Sequence, residues 1–209
     1  MIALLAVAAF AQAVSKPDAA LLKSIEDRYN RAESLRVRFE QTYSGQGPGR
    51  RTESGTLLLR KPGRMRWDYD RPPGKLFLSD GGMAWFYTPS TNRAEKGKIK
   101  ESEDLRAPLA FLLGRVDFKR DFKGATVDRG TGHPVVRALA KSENAPYERV
   151  EFTAGEAGMI EALTVFGRDG SVMTFRFQGE ETNPKLDRAL FRFVPPPGVE
   201  VVDSDQERR

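Results

Sequence analysis

Two aspartates, Asp68 and Asp80, are the residues of this sequence best placed for acid–base chemistry, because each borders a strongly aromatic stretch. Two carboxyl groups that flank one substrate bond are the arrangement that most glycoside hydrolases use. Asp80 is followed by Gly81 and Gly82, and Asp-Gly-Gly is itself a turn sequence. We therefore interpret the two aspartates as strand-edge and turn residues, and keep an envelope hydrolase as an alternative.

The other chemically reactive side chains form no known catalytic or metal-binding motif. The sequence has no cysteine and a single histidine, His133, which lies in the turn sequence Gly-Thr-Gly-His-Pro. It contains neither a G-x-S-x-G elbow nor an H-E-x-x-H motif, so serine-hydrolase and zinc-enzyme functions lack support. We expect a protein that is not an enzyme and that needs no cofactor and no metal ion.

The stretch 55–87 positions both aspartates, and its pattern predicts short strands joined by tight turns. Met65, Trp67 and Tyr69 alternate with polar residues, which is the period-two pattern of a strand with one buried face. Proline and glycine at 61–63 and 72–74 predict the turns. Because the buried face is strongly aromatic, it either closes a dense core or lines an apolar cavity.

The composition indicates one globular domain with a mildly basic charge. The 209 residues are 39% hydrophobic and 30% charged, and 34 basic residues are mixed with 29 acidic ones along the chain. By strand parity Arg64 and Arg66 lie on the opposite face from the aromatic side chains of the same strand. Bases stacked on those rings would lie away from the arginines, so we expect no nucleic-acid partner.

The N-terminal segment has the pattern of a secretory signal. Residues 1–13 are apolar and uncharged and end in Ala11-Gln12-Ala13, which predicts cleavage after Ala13. The run is too short to span a bilayer as a helix. We predict a signal peptide over residues 1–13 and a single domain over residues 14–209, and a buried N-terminal helix is the alternative to the signal peptide.

Two helices are predicted from apolar spacing. The segment Asp18 to Leu35 carries apolar residues at helical intervals, and from Val37 the period changes to two. The segment Leu105 to Gly114 is short and apolar around almost its whole circumference, so it needs burial on more than one side. A hairpin is predicted at Gly167–Gly170, between two runs that are rich in apolar residues.

The ordered set of motifs resembles the LolA family of periplasmic outer-membrane lipoprotein carriers. The run 57–87 is similar to the family's sequence of a strand, a basic residue with proline, an aromatic strand, and Ser-Asp-Gly followed by Trp and Tyr. Leu78-Ser79-Asp80-Gly81, Trp85, Tyr87 and Pro89 fit that pattern. The segments 107–113 and 191–203 resemble the family's lid helix and its C-terminal motif, and the similarity extends over about residues 18–203.

The resemblance implies a mainly β (α+β) fold, an incomplete antiparallel β-barrel of roughly ten to eleven strands with helices as a lid over an apolar cavity. It implies a soluble periplasmic carrier that shields the acyl chains of lipoproteins between the inner and outer membranes. The implied partners are acylated lipoproteins, an inner-membrane lipoprotein-releasing ABC transporter and an outer-membrane lipoprotein receptor. We expect a monomer, and an envelope lipid- or lipoprotein-sensing regulator on the same fold is the alternative.

Exposed acyl chains cost roughly 0.8 kcal/mol per CH₂ in water, so a soluble carrier must hide them in an apolar pocket. Strand parity predicts that the acyl-chain cavity is lined by Val37, Phe39, Leu57, Leu59, Met65, Trp67 and Tyr69. The resemblance implies that the lid consists of Pro108, Leu109, Phe111, Leu112 and Leu113. A packed core under a helix is the alternative to the cavity.

One position departs from the family pattern. The resemblance implies an arginine just before the strand-ending proline, thought to hydrogen-bond to the lid, and this chain has Lys61 there. Lysine carries three donors on a point charge and lacks the planar fork of arginine. We therefore expect Lys61 to be the lid tether and to hold the lid more weakly than arginine would, with Arg64 as the alternative tether.

Overall fold

The structure is a computed structural model that describes residues 16–45, 49–98, 116–130 and 132–203. The predicted signal peptide, residues 1–13, and the predicted lid residues between 108 and 113 lie outside the described residues. The structure does describe the other predicted site residues. These are the seven predicted cavity residues, the two aspartates at 68 and 80, and Lys61.

Helix α1 spans Lys16–Arg31, and a short helix α2 spans Phe118–Asp121. The predicted end of the first helix at Leu35 is wrong, because strand β1 already begins at Ser34. Leu35 stands at an even spacing from Val37 and pairs with residues of two neighbouring strands, so sheet pairing decides its conformation. Neither described helix is both long and apolar enough to cross a bilayer.

Twelve strands are described, and the predicted period-two runs from Val37 and over Met65–Tyr69 lie in two of them. They are β1 Ser34–Ser44, β2 Arg51–Arg60, β3 Arg64–Arg71, β4 Leu76–Asp80, β5 Met83–Thr88, β6 Arg93–Lys98, β7 Phe122–Asp128, β8 Val135–Ala140, β9 Tyr147–Ala154, β10 Ile160–Gly167, β11 Val172–Thr182 and β12 Glu200–Asp203. The predicted hairpin between β10 and β11 is present, and Gly170 takes the positive φ of 81° that its turn requires.

The strands form one open sheet in the order β12-β6-β5-β4-β3-β2-β1-β11-β10-β9-β8-β7. Neighbouring strands are antiparallel except β12 and β6, which are parallel. The prediction of a mainly β fold with an unclosed, largely antiparallel sheet is confirmed, with one strand more than the ten to eleven expected. Near β12, Asn92 holds the returning chain by accepting from Glu200 N–H at 3.0 Å and donating from Nδ2 to Gly198 at 2.7 Å.

The main core lies on one face of this sheet, which we call the inner face. It carries apolar side chains from β1, β2, β3 and β8 to β11, and α1 packs against it through Ile25 and Tyr29. The alternate residues of β1 and β3 point to the opposite face, and these are mostly arginine, aspartate and glutamate. This alternation of apolar and charged residues fixes the register in which β1 and β3 pair with β2, the strand between them.

Candidate functional site

The seven predicted cavity residues lie together on the inner face. Cross-strand pairing places Val37, Leu57 and Trp67 in one row, with Leu59 and Met65 paired in the row on one side. Phe39 and Tyr69 occupy the row on the other side, where Gly55 lies between them and pairs with both. All seven residues are 0–6% exposed. Their assignment to acyl-chain binding stays a prediction.

These seven side chains are packed against one another and against the rest of the core. The ring of Phe39 lies edge-on at 4.7 Å from Trp67 and 5.1 Å from Tyr69, and Trp67 lies 5.4 Å from Phe175. Ile25 of α1 is fully buried in the same cluster. In this conformation the inner face is therefore a dense core, and a ligand has to separate these contacts to enter.

The indole nitrogen at the centre of this face is buried, and among the described residues it has no hydrogen-bond acceptor. Most buried donors in proteins are paired, so Trp67 Nε1 is an exception within this part of the chain. A buried donor without an acceptor costs about 1–3 kcal/mol. The centre of the inner face is therefore less favourable in this conformation than its apolar packing alone suggests.

A buried carboxylate fastens α1 to the sheet. Glu180 of β11 accepts from Arg28 at 2.6 and 2.9 Å and from the hydroxyl of Tyr29 at 2.7 Å. The same hydroxyl accepts a 2.9 Å hydrogen bond from the backbone N–H of Ile160. Burial, together with the nearby Glu180 carboxylate, raises the pKa of Tyr29 well above its ordinary value. The helix is thus held by polar contacts that meet at one tyrosine.

Lys61 also binds α1. Its ammonium group donates a 2.6 Å hydrogen bond to the backbone carbonyl of Tyr29, in the last turn of the helix. Carbonyls of the last turn lack partners within a helix, and a cation near that end is favourable. Burial lowers the pKa of Lys61, and Glu33 opposes that shift. The described contact is therefore with α1; the predicted lid residues lie outside the described part of the chain.

The segment that follows residue 115 is joined to α1 as well. The side chain of Asn30 makes two hydrogen bonds with the backbone of Val116, at 2.7 and 2.9 Å. Glu26 accepts from the backbone N–H of Phe118 at 2.9 Å. Val116 and Phe118 are both buried in the main core. A movement of α1 would therefore displace the backbone at these two residues or break its hydrogen bonds to them.

A close backbone contact sets the height of α1 above the sheet. Gly158 has a φ of 75°, and a Cβ atom there would lie 2.7 Å from the carbonyl of Ser24 and 2.8 Å from the nitrogen of Ile25. Such distances are too short for any side chain, so only glycine allows this turn to touch the helix. The turn Glu156–Gly158 thereby supports the middle of α1.

The inner face ends in a polar group that sequence analysis missed. Gln41 and Glu53 lie opposite each other, next to the row of Phe39 and Tyr69. Lys75 binds both carboxylate oxygens of Glu53 at 2.7 Å. A cavity of about 230 Å³ adjoins these side chains. Strand parity places Gln41 and Glu53 on the inner face, but their polarity breaks the apolar pattern that was used to choose the cavity residues.

The two aspartates have structural partners and do not face each other. Asp68 accepts two hydrogen bonds from Arg66, at 2.6 and 2.8 Å, and Asp80 accepts from the backbone of Gly82 and Met83 in its turn. Their positions differ by four residues along the paired strands β3 and β4, a backbone separation of about 13 Å. This exceeds the carboxyl spacing of glycosidases, so the hydrolase alternative has no support here.

The remaining candidates for chemistry are also accounted for. His133 pairs through Nδ1 with Glu161, and both side chains are partly exposed. Within the residues that the structure describes, no group of three or more histidine, cysteine, aspartate or glutamate residues could hold a metal ion. The candidate functional site is therefore the inner face, its helix α1 and the polar group at its end.

Comparison with known proteins identifies relatives over nearly the whole chain. The outer-membrane lipoprotein carrier protein of Nitrosospira multiformis is 29% identical and covers 86% of each chain. The protein of the same name from Neisseria gonorrhoeae is 28% identical, over 96% of this chain and 95% of the relative.

The fold is also similar to a solved structure, an uncharacterized conserved protein from Thermus thermophilus. It has a TM-score of 0.52 at 10% identity and covers 90% of this chain and 99% of the other. At that identity the similarity concerns the fold alone. The sequence profile described as outer membrane lipoprotein carrier protein LolA matches residues 30–194. Because this match covers most of the sequence, the chain belongs to the LolA family of outer membrane lipoprotein carrier proteins.

Proposed function

We propose that this protein is a periplasmic carrier that shields the acyl chains of lipoproteins on their way from the inner to the outer membrane. The observation that supports this most directly is the continuous apolar inner face across β1, β2 and β3, in a chain of the LolA family. Relatives that match over most of their length bear the name of outer-membrane lipoprotein carriers.

The inner face has the chemistry that acyl chains require. Aliphatic, thioether and aromatic side chains cover it without a charged residue in the rows from Leu35 to Phe39. Every CH₂ group that moves from water onto such a surface contributes about 0.8 kcal/mol. Long acyl chains can therefore compensate for the loss of the contacts that now fill this space.

Loading requires α1 to separate from the sheet. The helix covers the inner face with Ile25 and Tyr29, and it is fastened by hydrogen bonds to Glu180, Lys61 and Val116. A ligand shifts such an equilibrium only by its difference in affinity for the two states. Acyl chains bind the open state more tightly, because in the closed state the rings of Phe39, Trp67 and Phe175 pack against one another where the chains would lie. The polar contacts of α1 thus set how readily the carrier opens.

The carrier acts by binding and without catalysis. In this proposal an inner-membrane lipoprotein-releasing ABC transporter loads it, and an outer-membrane lipoprotein receptor unloads it. The predicted lid residues, Pro108, Leu109, Phe111, Leu112 and Leu113, cover the chains once they are bound. The net positive charge of the chain suits acidic surfaces on both the transporter and the receptor.

Native mass spectrometry of protein expressed in a bacterial periplasm tests this function. We expect a species whose extra mass equals one acylated lipoprotein or its acyl chains, and transfer of that cargo to acceptor vesicles bearing an outer-membrane receptor. An unloaded protein that neither binds nor transfers acylated cargo would overturn the proposal. Binding without transfer, together with a signalling partner, would instead favour a sensing regulator.

A further inference from the structure

The polar end of the inner face is part of the same surface as the apolar rows. Gln41 follows Phe39 at a spacing of two on β1, and Glu53 precedes Gly55 at a spacing of two on β2. The two residues are directly paired across the strands. A molecule lying along the inner face would therefore meet apolar side chains first and then a polar group at this end.

Gln41 is buried but only weakly satisfied. The residue is 7% exposed, which is unusual for glutamine. It accepts from the Tyr69 hydroxyl at 3.3 Å and donates to Glu53 at 3.4 Å, and both distances exceed the usual range for hydrogen bonds. An amide has two donors and two lone pairs, so Gln41 has capacity to bind a ligand at a better distance.

Lys75 adds a charged donor beside this amide. Its ammonium group binds Glu53 and also lies over two rings, 4.5 Å from the centroid of Tyr69 and 5.4 Å from that of Phe86. The side chains of Lys75 and Glu53 are only 15% and 19% exposed. The pair is mostly buried, so its net contribution to stability is small once its desolvation is counted. Beside the weakly bonded amide of Gln41, its ammonium group offers a second donor to a ligand.

The adjoining space is large enough for a small polar group. The cavity of about 230 Å³ is lined by Gln41, Glu53, Tyr69, Lys75 and Phe86, among others. A single water needs roughly 10–15 Å³, so this cavity exceeds a water site many times over. Its lining also includes Arg51, so it combines two cationic donors, an amide, one carboxylate and aromatic rings, which suits a group with carbonyl and hydroxyl oxygens.

We infer that this cavity binds the ester-linked glyceryl head group of the acyl ligand, with the ester carbonyl accepting from Gln41 and Lys75. The inference rests on the proposed acyl-chain binding and adds an orientation to it. The head group lies at the Gln41 end, and the acyl chains run across Trp67 towards Met65. Cargo attached to the head group therefore leaves the carrier at the Gln41 end.

Matched lipids test the inference by their competition with a fluorescent apolar probe. The three competitors are a monoacylglycerol, the 1-O-alkylglycerol of equal chain length, and the free fatty acid of equal chain length. The ether retains the glycerol and the chain but lacks the carbonyl. We expect the ester to bind about 5-fold more tightly than the ether, which is the worth of one or two net hydrogen bonds.

Gln41→Leu and Lys75→Met should each reduce that ester-to-ether preference to about 2-fold or less, with little change for the ether. Because Lys75→Met leaves the Glu53 carboxylate unpaired, the double change Lys75→Met with Glu53→Gln provides a variant without the stranded charge. Gln178→Leu and Lys185→Met are matched controls at exposed positions away from the cavity, and they should keep the full preference.

The outcomes distinguish the head-group assignment from the acyl-carrier function on which it rests. Equal affinity for ester and ether, or a preference that survives Gln41→Leu and the double change, would overturn the head-group assignment while acyl binding stands. A fatty acid that binds more tightly than the ester and loses most in Lys75→Met would assign the cavity to a carboxylate instead. Failure of all three lipids to displace the probe would overturn the acyl-carrier function itself.

Discussion

The ammonium nitrogen of Lys61 lies 2.6 Å from the backbone carbonyl oxygen of Tyr29. One side chain at the end of β2 thereby caps the last turn of α1, and the hydroxyl of the same tyrosine reaches Glu180 on β11. Two strands on opposite sides of β1 thus hold the helix at one residue. Changes at these contacts should alter both the stability of the closed state and the release of acyl chains.

Replacement of Lys61 by leucine should loosen the end of α1. The Tyr29 carbonyl loses its charged donor, which should lower the free energy of unfolding by about 1 kcal/mol and speed the release of a bound acyl probe. Lys61→Arg is the control. Because arginine keeps a charged donor and adds further ones, this variant should release the acyl probe no faster than the wild type. Urea unfolding and stopped-flow release measure the two effects. Unchanged release in Lys61→Leu would remove Lys61 from the gating of the carrier.

Replacement of Glu180 by glutamine should weaken the attachment of α1 to the sheet, and it should cost more stability than the loss of an exposed ion pair. The variant retains the shape but removes the charge that binds Arg28, so we expect a loss of about 2–3 kcal/mol in urea unfolding. Glu181→Gln is a matched control one residue away, where the side chain is 53% exposed and pairs with Arg36. It should change stability by less than about 0.5 kcal/mol. Equal effects of the two changes would contradict this account of α1.

The raised pKa of Tyr29 predicts a pH dependence at alkaline pH. Above the ordinary value of 10.0 the unfolded chain loses the phenolic proton while the folded chain keeps it. The folded state then binds more protons, so the stability that Tyr29 contributes is complete below that pH and declines above it. The stability difference between wild type and Tyr29→Phe should narrow from about pH 9 to about pH 11, by up to 1.4 kcal/mol per unit. A constant difference would show that the hydroxyl is not held by Glu180.

Gly158→Ala should displace α1, because the new Cβ would overlap the helix backbone at Ser24. Gly170→Ala is the matched control: its φ is 81°, close to the 75° of Gly158, but no atom lies within 4 Å of the added Cβ. Both changes impose backbone strain of about 1–2 kcal/mol. We expect Gly158→Ala to lose about 2 kcal/mol more by thermal or urea unfolding. Similar losses would show that contact with the helix is unimportant.

Trp67 should report ligand uptake by its fluorescence. The chain has two tryptophans, so Trp85→Phe leaves Trp67 as the only indole. Its full burial predicts short-wavelength emission that resists acrylamide, and separation of the rings of Phe39 and Phe175 on loading should change that emission. Trp67→Phe is the control, in which Trp85 should respond little. Unchanged emission in a sample shown by mass spectrometry to be loaded would place the acyl chains elsewhere.

Strand parity sufficed to assemble the inner face. Met65, Trp67 and Tyr69 alternate with charged residues, and one-sided burial of a sheet depends only on that period of two. The end of α1 could not be found in the same way. Leu35 continues an apolar helical face and also begins the alternating run, and only its pairing with Leu59 decides between the two.

The contacts that hold α1 could not be predicted from local pattern. Tyr29 and Glu180 are 151 residues apart, and their meeting depends on β11 lying beside β1 in the sheet. Gln41 was overlooked for a different reason: its parity is that of Phe39, but a polar residue counts against an apolar cavity. Functional groups at the end of a buried face break the pattern that reveals the face.

The parallel strand β12 has a consequence for shortened forms of this protein. It covers β6, whose backbone N–H and C=O groups would otherwise lie on an open border of the sheet. A truncation before Glu200 would uncover that border, and uncovered borders recruit strands from other molecules. Self-association of the shortened chain would follow, so the short C-terminal strand limits pairing between neighbouring copies at this border.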